Sequence, residues 1–201
     1  KLVHIETPGN PTLTISDIRA IADIAHENGA LLSVDNTFAS PYNQRPIELG
    51  ADFTIESLTK YINGHSDAMG GAIIGKKEYL DIIRAQSQVN LGATISPFNA
   101  WLIMRGSVTL PLRMRQHNEN ALRVAKYLQT VKGVSFVAYP GLESHKGHDI
   151  AVKQMQGGFG GVLSFGLHAD HDTYNRFVSH LKVITLSLIH ISEPTRLDVI
   201  S

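Results

Sequence analysis

The chain is organised around residues 56–67, which read Glu56-Ser57-Leu58-Thr59-Lys60-Tyr61-Ile62-Asn63-Gly64-His65-Ser66-Asp67. A short apolar run at 51–55 precedes them, so the hydroxyls and the lysine fall where a predicted strand gives way to a turn. A lysine in that position is a candidate for a buried amine that forms a Schiff base, because desolvation or a nearby cation favours its reactive, neutral state. Ser57 and Thr59 offer short donors suited to a phosphate. The alternative is a surface turn with one solvated lysine.

The chain upstream of this stretch predicts a parallel sheet. Residues 2–6 alternate as a strand, and residues 31–34 form a second, apolar strand that delivers Asp35 at its carboxyl end. Between them, a helix capped by Thr14 or Ser16 and ended by Gly29 is predicted from apolar residues that share one face: Ile18, Ile21, Ala22 and Ala25. A strand, a helix and a strand in this order indicate a right-handed βαβ unit and an α/β fold.

The downstream pattern continues as α/β and then changes in character. Further strands are predicted over 53–56, 70–75, 134–139, 161–167 and 181–186. Helices are predicted over 76–88, 97–104 (buried on most sides), 112–131, 145–155 and 170–180. We place a domain boundary near Gly133, so that residues 1–133 belong to a large domain, 134–186 begin a smaller α/β domain, and 187–201 form a tail.

Composition narrows the possible partners. Eighteen basic and eighteen acidic residues give a formal net charge of zero, which argues against a nucleic-acid or membrane-surface partner held by bulk charge. The chain has no cysteine, so it contains no disulfide or thiolate metal site, and this fits a reducing, cytoplasmic compartment. No apolar run approaches the length of a membrane span, and no signal peptide is recognised. Because the first residues read as a strand already under way, we expect an internal piece of something longer.

Polar side chains follow three predicted strands at the edge where ligands gather in open α/β sheets. These side chains are Asn10 (after a loop), Asp35, and the group of Ser57, Thr59 and Lys60. An acid and a lysine on neighbouring strand ends form the pattern that pyridoxal phosphate (PLP) needs, since the lysine binds the cofactor covalently and the carboxylate pairs with its ring nitrogen. Two structural alternatives remain open: Asp35 as a helix cap, and Lys60 as a salt-bridge partner.

Several motifs in order resemble the family of PLP enzymes that contains cystathionine γ-lyase and methionine γ-lyase. They are Ser33-Val34-Asp35-Asn36-Thr37-Phe38-Ala39-Ser40-Pro41-Tyr42, Gln44-Arg45-Pro46, Glu48-Leu49-Gly50-Ala51-Asp52, Ser57-Leu58-Thr59-Lys60-Tyr61, Gly64-His65-Ser66-Asp67, and Glu6-Thr7-Pro8-Gly9-Asn10-Pro11. The likeness runs from Lys1 to about Leu186. Residues 91–97 and 104–106 look more like methionine γ-lyases than cystathionine enzymes, although O-acetylhomoserine sulfhydrylases share much of this sequence.

The resemblance implies a fold, PLP fold type I (aspartate-aminotransferase-like), and a role for each site residue. Lys60 would be the Schiff-base lysine and proton shuttle, and Asp35 would hold the ring nitrogen with Thr37 behind it. Ser57 and Thr59 would bind the phosphate, and Asn10 would contact the phenolic oxygen of the ring. No metal is implied. Leu58 departs from the family, which usually has a small residue between the two hydroxyls.

The activity implied is γ-elimination from a sulfur amino acid, so the partner is a small amino-acid substrate. The assembly implied is a cytoplasmic homotetramer built of dimers. The alternatives are an O-acetylhomoserine sulfhydrylase, a cystathionine γ-lyase or synthase, and an inactive relative kept as a binding subunit. Family members are roughly twice this length, so we expect the 201-residue piece alone to be inactive. Residues 188–201 depart from the family, and we interpret them as foreign, with genuine divergence as the alternative.

Three other patterns suggest ligands but favour structural roles. Residues 168–172 (His-Ala-Asp-His-Asp) resemble a metal cluster, yet Asp170 or Asp172 makes a good helix cap. His65 and Asp67 are expected to form structural hydrogen bonds near the cofactor. The glycine-rich stretch 157–161 precedes its strand rather than following one, so we predict a flexible connection and not a dinucleotide-binding loop.

Overall fold

A four-stranded mixed sheet organises the first part of the computed structural model, which describes residues 1–182. Its strands lie in chain order: β1 (Leu2–Glu6), β2 (Leu31–Asp35), β3 (Phe53–Ser57) and β4 (Gly71–Gly75). The first three strands are parallel and β4 is antiparallel to β3. The predicted α/β fold is therefore confirmed, and the carboxyl ends of β1, β2 and β3 meet at one edge, where Glu6 pairs with Asp35.

Helix α1 (Ile18–Glu27) connects β1 to β2 and covers one face of the sheet. Its apolar face, predicted from the spacing, packs as a core cluster against the buried side chains of β2: Ile18, Ala22, Ala25, Leu32 and Val34. The predicted cap is wrong, because the helix begins later and the Asp17 side chain accepts a hydrogen bond from Ala20 N at 3.0 Å. Gly29 follows the helix end with φ +64°, a left-handed conformation that glycine adopts without steric cost.

Short helical segments complete the region that contains the four-stranded sheet. They are α2 (Ser40–Asn43), a 3₁₀ turn (Pro46–Leu49), a π-type turn (Leu58–Ile62), α3 (Lys77–Ile83), a second π-type turn (Arg84–Gln88) and α4 (Val89–Leu91). The helix predicted over 76–88 thus loosens after Ile83. Helix α5 (Pro97–Ser107) is not buried on most sides as predicted, since Phe98, Trp101 and Met104 are 65%, 56% and 70% exposed. The helix was predicted correctly, but none of the described elements covers these apolar side chains.

Helix α6 (Leu110–Leu128) begins two residues before the predicted start. Pro111 lies in its first turn, where a missing N–H costs nothing. A buried stripe recurs every three to four residues: Leu110, Met114, Asn118, Ala121 and Ala125. The last two residues of the stripe, Ala121 and Ala125, pack against Tyr139 and Leu142, so the end of the long helix contacts the chain that follows it.

Residues 134–182 form a second, smaller set of elements. Strands β5 (Val134–Ala138) and β6 (Ser164–Leu167) are antiparallel, and helices α7 (His148–Gln154) and α8 (His171–Ser179) accompany them. Asp170 caps α8 by accepting from Thr173 N at 2.8 Å, as the cap hypothesis predicted. Helix α7 packs against Ile15 and Ala39 from across the predicted boundary near Gly133.

Two predictions fall partly or wholly beyond the described residues. Of the strand predicted over 181–186, Leu181 and Lys182 are described and are not in a strand, and the remainder lies outside the described residues. The tail 187–201 also lies outside them. Within residues 1–182, none of the helices combines the length and the apolar character needed to cross a membrane.

The glycine-rich stretch 157–161 is a fixed loop rather than the flexible connection expected. Asn118 donates to the Gly157 carbonyl at 3.0 Å and accepts from Gly160 N at 2.9 Å, and the Tyr139 hydroxyl donates to the Gly160 carbonyl at 2.9 Å. Gly158 has φ +144°, and a Cβ there would overlap the Asn118 side chain. The glycines are therefore needed for close approach to Asn118.

Candidate active site

A cleft of about 1020 Å³ opens at the carboxyl edge of the three parallel strands. All six residues predicted from the sequence line it: Asn10, Asp35, Thr37, Ser57, Thr59 and Lys60. Because β1, β2 and β3 are adjacent and parallel, the segments that follow them converge on one place although they are up to fifty residues apart in sequence. The structure therefore brings every predicted site residue together.

Asp35 is the last residue of β2, and its carboxylate is held by the turn that follows. Thr37 N donates to Asp35 Oδ1 at 3.0 Å, which is the side-chain-to-backbone bond of an Asx turn and not a helix cap. The hydroxyl of Thr37 in turn accepts from Ser57 N at 2.9 Å. Thr37 thus joins the ends of β2 and β3 and orients Asp35 in the cleft.

Lys60 lies in the π-type turn that begins where β3 ends. The turn is interrupted at Lys60 itself, whose backbone has φ −89° and ψ −122°. Thr59 anchors the turn to the start of β4, since its hydroxyl accepts from Gly70 N at 3.1 Å and donates to Gly70 O at 3.3 Å. Lys60 is half-buried and lines the cleft, so the alternative of a solvated surface turn does not describe it.

The segment after the lysine turn is fixed by its own polar groups. Asn63 is fully buried, and its side-chain amide donates to Asp67 Oδ1 at 2.9 Å. The Nδ1 atom of His65 lies 2.6 Å from the Asn63 carbonyl oxygen. The structural hydrogen bonds expected for His65 and Asp67 near the site are therefore confirmed.

Helix α6 contributes two cleft residues that the sequence did not reveal, Arg113 and His117. The Arg113 guanidinium donates to the carbonyls of Tyr61 (2.7 Å) and Ile62 (3.2 Å), immediately after Lys60. The His117 ring packs against the Tyr61 ring with centroids 5.3 Å apart. The only sequence signal was their i, i+4 spacing on a predicted helix, and that spacing does not say which surface the pair faces.

The protonation states around the cleft follow from burial. Burial raises the pKa of Tyr61 to about 12, so its hydroxyl stays protonated at neutral pH. Partial burial, and then the positive charge of Arg113, lower the pKa of His117 from its usual value, which favours a neutral imidazole. Desolvation, and then the charge of Asp35, raise the pKa of Glu6.

A buried carboxyl also lies directly beneath the site, at Glu56. It is 3% exposed, and burial raises its pKa to about 7. Asn36 Nδ2 donates to Glu56 Oε1 at 2.8 Å, Gln44 Nε2 donates to Asn36 Oδ1 at 2.9 Å, and Gln154 Nε2 donates to Gln44 Oε1 at 3.0 Å. This chain of side-chain bonds connects the end of β3 to helix α7.

The residues in the cleft fit PLP, the cofactor implied by the resemblance. A carboxylate comes from the end of β2, and an amine comes from the turn after β3. The Ser57 hydroxyl makes no capping bond to that turn, so it is not committed there. The volume of the cleft lies at the upper end of the range for small-molecule sites, enough for a cofactor together with a small amino acid.

Known proteins with similar sequence and structure include lyases and synthases. The chain is 56% identical over 186 residues to a canavanine gamma-lyase from Rhizobium leguminosarum bv. trifolii, covering 92% of this chain and 46% of the relative. A crystal structure of cystathionine gamma synthase from Xanthomonas oryzae pv. oryzae matches with TM-score 0.89 and 45% identity, over 93% of this chain and 48% of that one. An apo methionine gamma lyase from Micromonospora echinospora matches with TM-score 0.88 and 36% identity, over 92% and 50%.

The chain spans about half the length of the curated relatives it matches. The fold of its structural neighbours is that of PLP enzymes of fold type I, as predicted. The sequence profile described as "Cys/Met metabolism PLP-dependent enzyme" matches residues 1–189. With this match and the geometry of the cleft, the chain belongs to the Cys/Met metabolism family of PLP-dependent enzymes, whose cofactor is pyridoxal 5′-phosphate.

Proposed function

We propose that this chain carries the cofactor-binding lysine of a PLP-dependent lyase that removes the γ-substituent of an amino acid. One observation carries the proposal: a carboxylate from β2 and an amine from the turn after β3 line a single cleft. When bound, PLP supplies an electron sink for charge that develops at the α-carbon of a substrate. The acid–base work falls to the side chains of the protein.

We assign a role to each of the six predicted residues, all of which line the cleft. Lys60 holds the cofactor covalently and moves the proton at the substrate Cα. Asp35, oriented by Thr37, pairs with the ring nitrogen, and Asn10 contacts the phenolic oxygen. Ser57 and Thr59 bind the phosphate, for which Thr59 exchanges the longer of its two hydroxyl contacts, the 3.3 Å bond to Gly70 O.

The proposed substrate is a sulfur amino acid, with γ-elimination as the reaction and γ-replacement by a thiol as the alternative. A second candidate is canavanine, because the relative that is 56% identical is a canavanine gamma-lyase. Release of an α-keto acid from methionine, cystathionine, O-acetylhomoserine and canavanine by the full-length protein would rank these substrates. Consumption of O-acetylhomoserine only when sulfide is added would instead indicate the sulfhydrylase.

The proposal is tested against the alternative of an inactive binding subunit by spectroscopy. The full-length protein should show a visible absorption band of lysine-bound cofactor, and Lys60→Ala should abolish it. Lys76→Ala, which removes an exposed lysine outside the cleft, is the matched control and should keep the band. A wild-type protein without the band, or a band that persists in Lys60→Ala, would refute the assignment.

We further propose that the active protein is a cytoplasmic homotetramer and that the 201-residue chain alone is inactive. The exposed apolar side chains of α5 (Phe98, Trp101 and Met104) support burial against another copy or another part of the protein. Light scattering of the full-length protein and cell fractionation test the two statements about the whole protein. Release of α-keto acid by the isolated 201-residue chain would contradict the statement about the part.

A further inference from the structure

We propose that Arg113 is a positioning residue whose guanidinium fixes the turn that carries Lys60, and thereby sets where the Lys60 amine lies in the cleft. The inference rests on the proposed function, because it concerns the lysine that holds the cofactor. Arg113 is partly buried in helix α6 and lines the same cleft as Lys60, Asp35 and Ser57. Its role is separate from the six residues identified in the sequence.

The contacts of Arg113 converge on the residues that follow Lys60. Nη1 donates to the carbonyl of Tyr61 at 2.7 Å, and Nη2 donates to the carbonyl of Ile62 at 3.2 Å. These carbonyls lie at the end of a helical turn, where backbone acceptors have no partner within the turn. A guanidinium presents its donors in a rigid planar fork, so it holds two adjacent carbonyls in one orientation.

The other contacts of Arg113 tie that fork to the junction of α5 and α6. Nε donates to the Thr109 hydroxyl at 2.9 Å, and Nη2 also donates to the Gly106 carbonyl at 3.2 Å. The Thr109 hydroxyl itself donates to Gly106 O at 3.1 Å. The lysine turn is thus braced against two helices through one side chain.

Gly64 provides independent support for this arrangement. It has φ +70°, and a Cβ at this position would overlap Nη1 of Arg113. A side chain at 64 would be strained by the positive φ and would also collide with the guanidinium, so glycine satisfies both requirements. Any larger residue at 64 must displace the guanidinium or the turn.

His117, one helical turn after Arg113 in α6, makes a second contact with the segment that carries Lys60. The ring of His117 packs against the ring of Tyr61, the residue that follows Lys60. The Tyr61 side chain is also hydrogen-bonded to the backbone of Gly161. Movement of Lys60 relative to Asp35 is therefore opposed from both the backbone and the side chain of its neighbour, and the backbone part depends on Arg113.

The experiment compares four variants of the full-length holoenzyme: Arg113→Ala, Arg113→Lys, Gly64→Ala and Arg115→Ala. Arg115 is exposed on the same helix and does not line the cleft, so it is the matched control. Three quantities are measured: the visible circular dichroism of bound cofactor per unit of absorbance, the rate of cofactor loss, and kcat separately from KM. The first reports the asymmetric placement of the cofactor and is insensitive to a general loss of stability.

In Arg113→Ala we expect the visible absorption band to remain, because Lys60 is intact, while its circular dichroism falls and cofactor loss accelerates. We expect kcat to fall on the order of 100-fold with KM nearly unchanged, since misplacing a reacting group by about 1 Å has an effect of that size. Arg113→Lys should remain defective, because one ammonium cannot reproduce the fork. If Arg113→Ala does not fold, Arg113→Lys, which keeps the charge and the stem, decides the question.

Gly64→Ala should reproduce the loss of circular dichroism although Arg113 is present, and Arg115→Ala should match the wild type. The positioning role is overturned if both Arg113 variants match Arg115→Ala in circular dichroism and kcat, or if Gly64→Ala matches the wild type in both. A wild-type protein that lacks the visible band refutes the proposed function instead, and this inference with it. The two failures are therefore distinguishable.

Discussion

Glu56 allows a prediction of how stability depends on pH. Its carboxyl is 3% exposed and lies in the strand that leads to the lysine turn. Burial raises its pKa from 4.5 to about 7, the hydrogen bond from Asn36 opposes that rise, and the charge of Asp35 adds to it. The perturbation is Glu56→Gln, which keeps the oxygen that accepts from Asn36 and removes the charge.

The direction in which stability changes with pH follows from proton binding by Glu56 in the folded and unfolded states. A carboxyl with a raised pKa binds its proton more tightly in the folded than in the unfolded chain, so the free energy of unfolding falls as pH rises from about 4.5 to about 7. At 1.36 kcal/mol for each tenfold change in proton affinity, the cost of charging buried Glu56 is roughly 3 kcal/mol. Glu56→Gln escapes this cost, and any cost of placing its amide N–H₂ is the same at every pH.

The assay is urea unfolding of the full-length protein between pH 5 and pH 8.5, followed by far-ultraviolet circular dichroism. The free energy of unfolding of Glu56→Gln relative to wild type should rise by roughly 2.5 kcal/mol across this range, because part of the cost is already present at pH 5, and it should level off above pH 7. Glu119→Gln, an exposed position on α6, is the control and should show a flat difference. Parallel pH curves for wild type and Glu56→Gln would refute the reasoning.

Three further substitutions test the site and the packing that supports it. Asp35→Asn should lower kcat at least about 100-fold with the visible cofactor band retained, since a neutral amide cannot keep the ring nitrogen charged; an unchanged kcat would contradict the assigned role. Asn118→Ala should lower the free energy of unfolding by about 3 kcal/mol, because its two hydrogen bonds with buried Asn43 are lost, and exposed Asn120→Ala is the control measured alongside it in urea. Met114→Ala should cost about 2–5 kcal/mol by the same measurement, because the side chain is fully buried, and an equal loss in Leu112→Ala, which is 66% exposed, would contradict that reasoning.

The sequence pattern was sufficient to predict those elements whose structure depends on residues close together in the chain. Alternation at residues 2–6 and the apolar run at 31–34 placed β1 and β2, and the apolar face of α1 followed from a period of 3.6. The cap of that helix was misplaced because Thr14, Ser16 and Asp17 are all good caps. Asp17 itself has an extended backbone, and just before it Thr7 Oγ1 accepts from Ser16 N at 3.0 Å, so the helix begins only after Asp17.

The exposure of α5 shows a second way in which prediction from sequence can be wrong. The sequence of residues 97–107 is apolar on several faces, and burial on most sides was the natural expectation. Within the described residues only Ile103 and Gly106 of this helix are buried. An apolar sequence indicates that a surface tends to be buried, but it does not indicate which part of the protein, or which other copy, packs against that surface.

The sequence by itself determined the α/β class, the strand ends and the six residues that line the cleft, because residue type, period and motif are local properties. Only the tertiary structure decided that Arg113 and His117 face the lysine turn, since that depends on how α6 crosses the sheet edge some fifty residues later in the chain. The same holds for Glu56, whose raised pKa comes from burial and from a side-chain network that reaches Gln154. Desolvation and long-range packing are properties of the folded chain, and no window of sequence contains them.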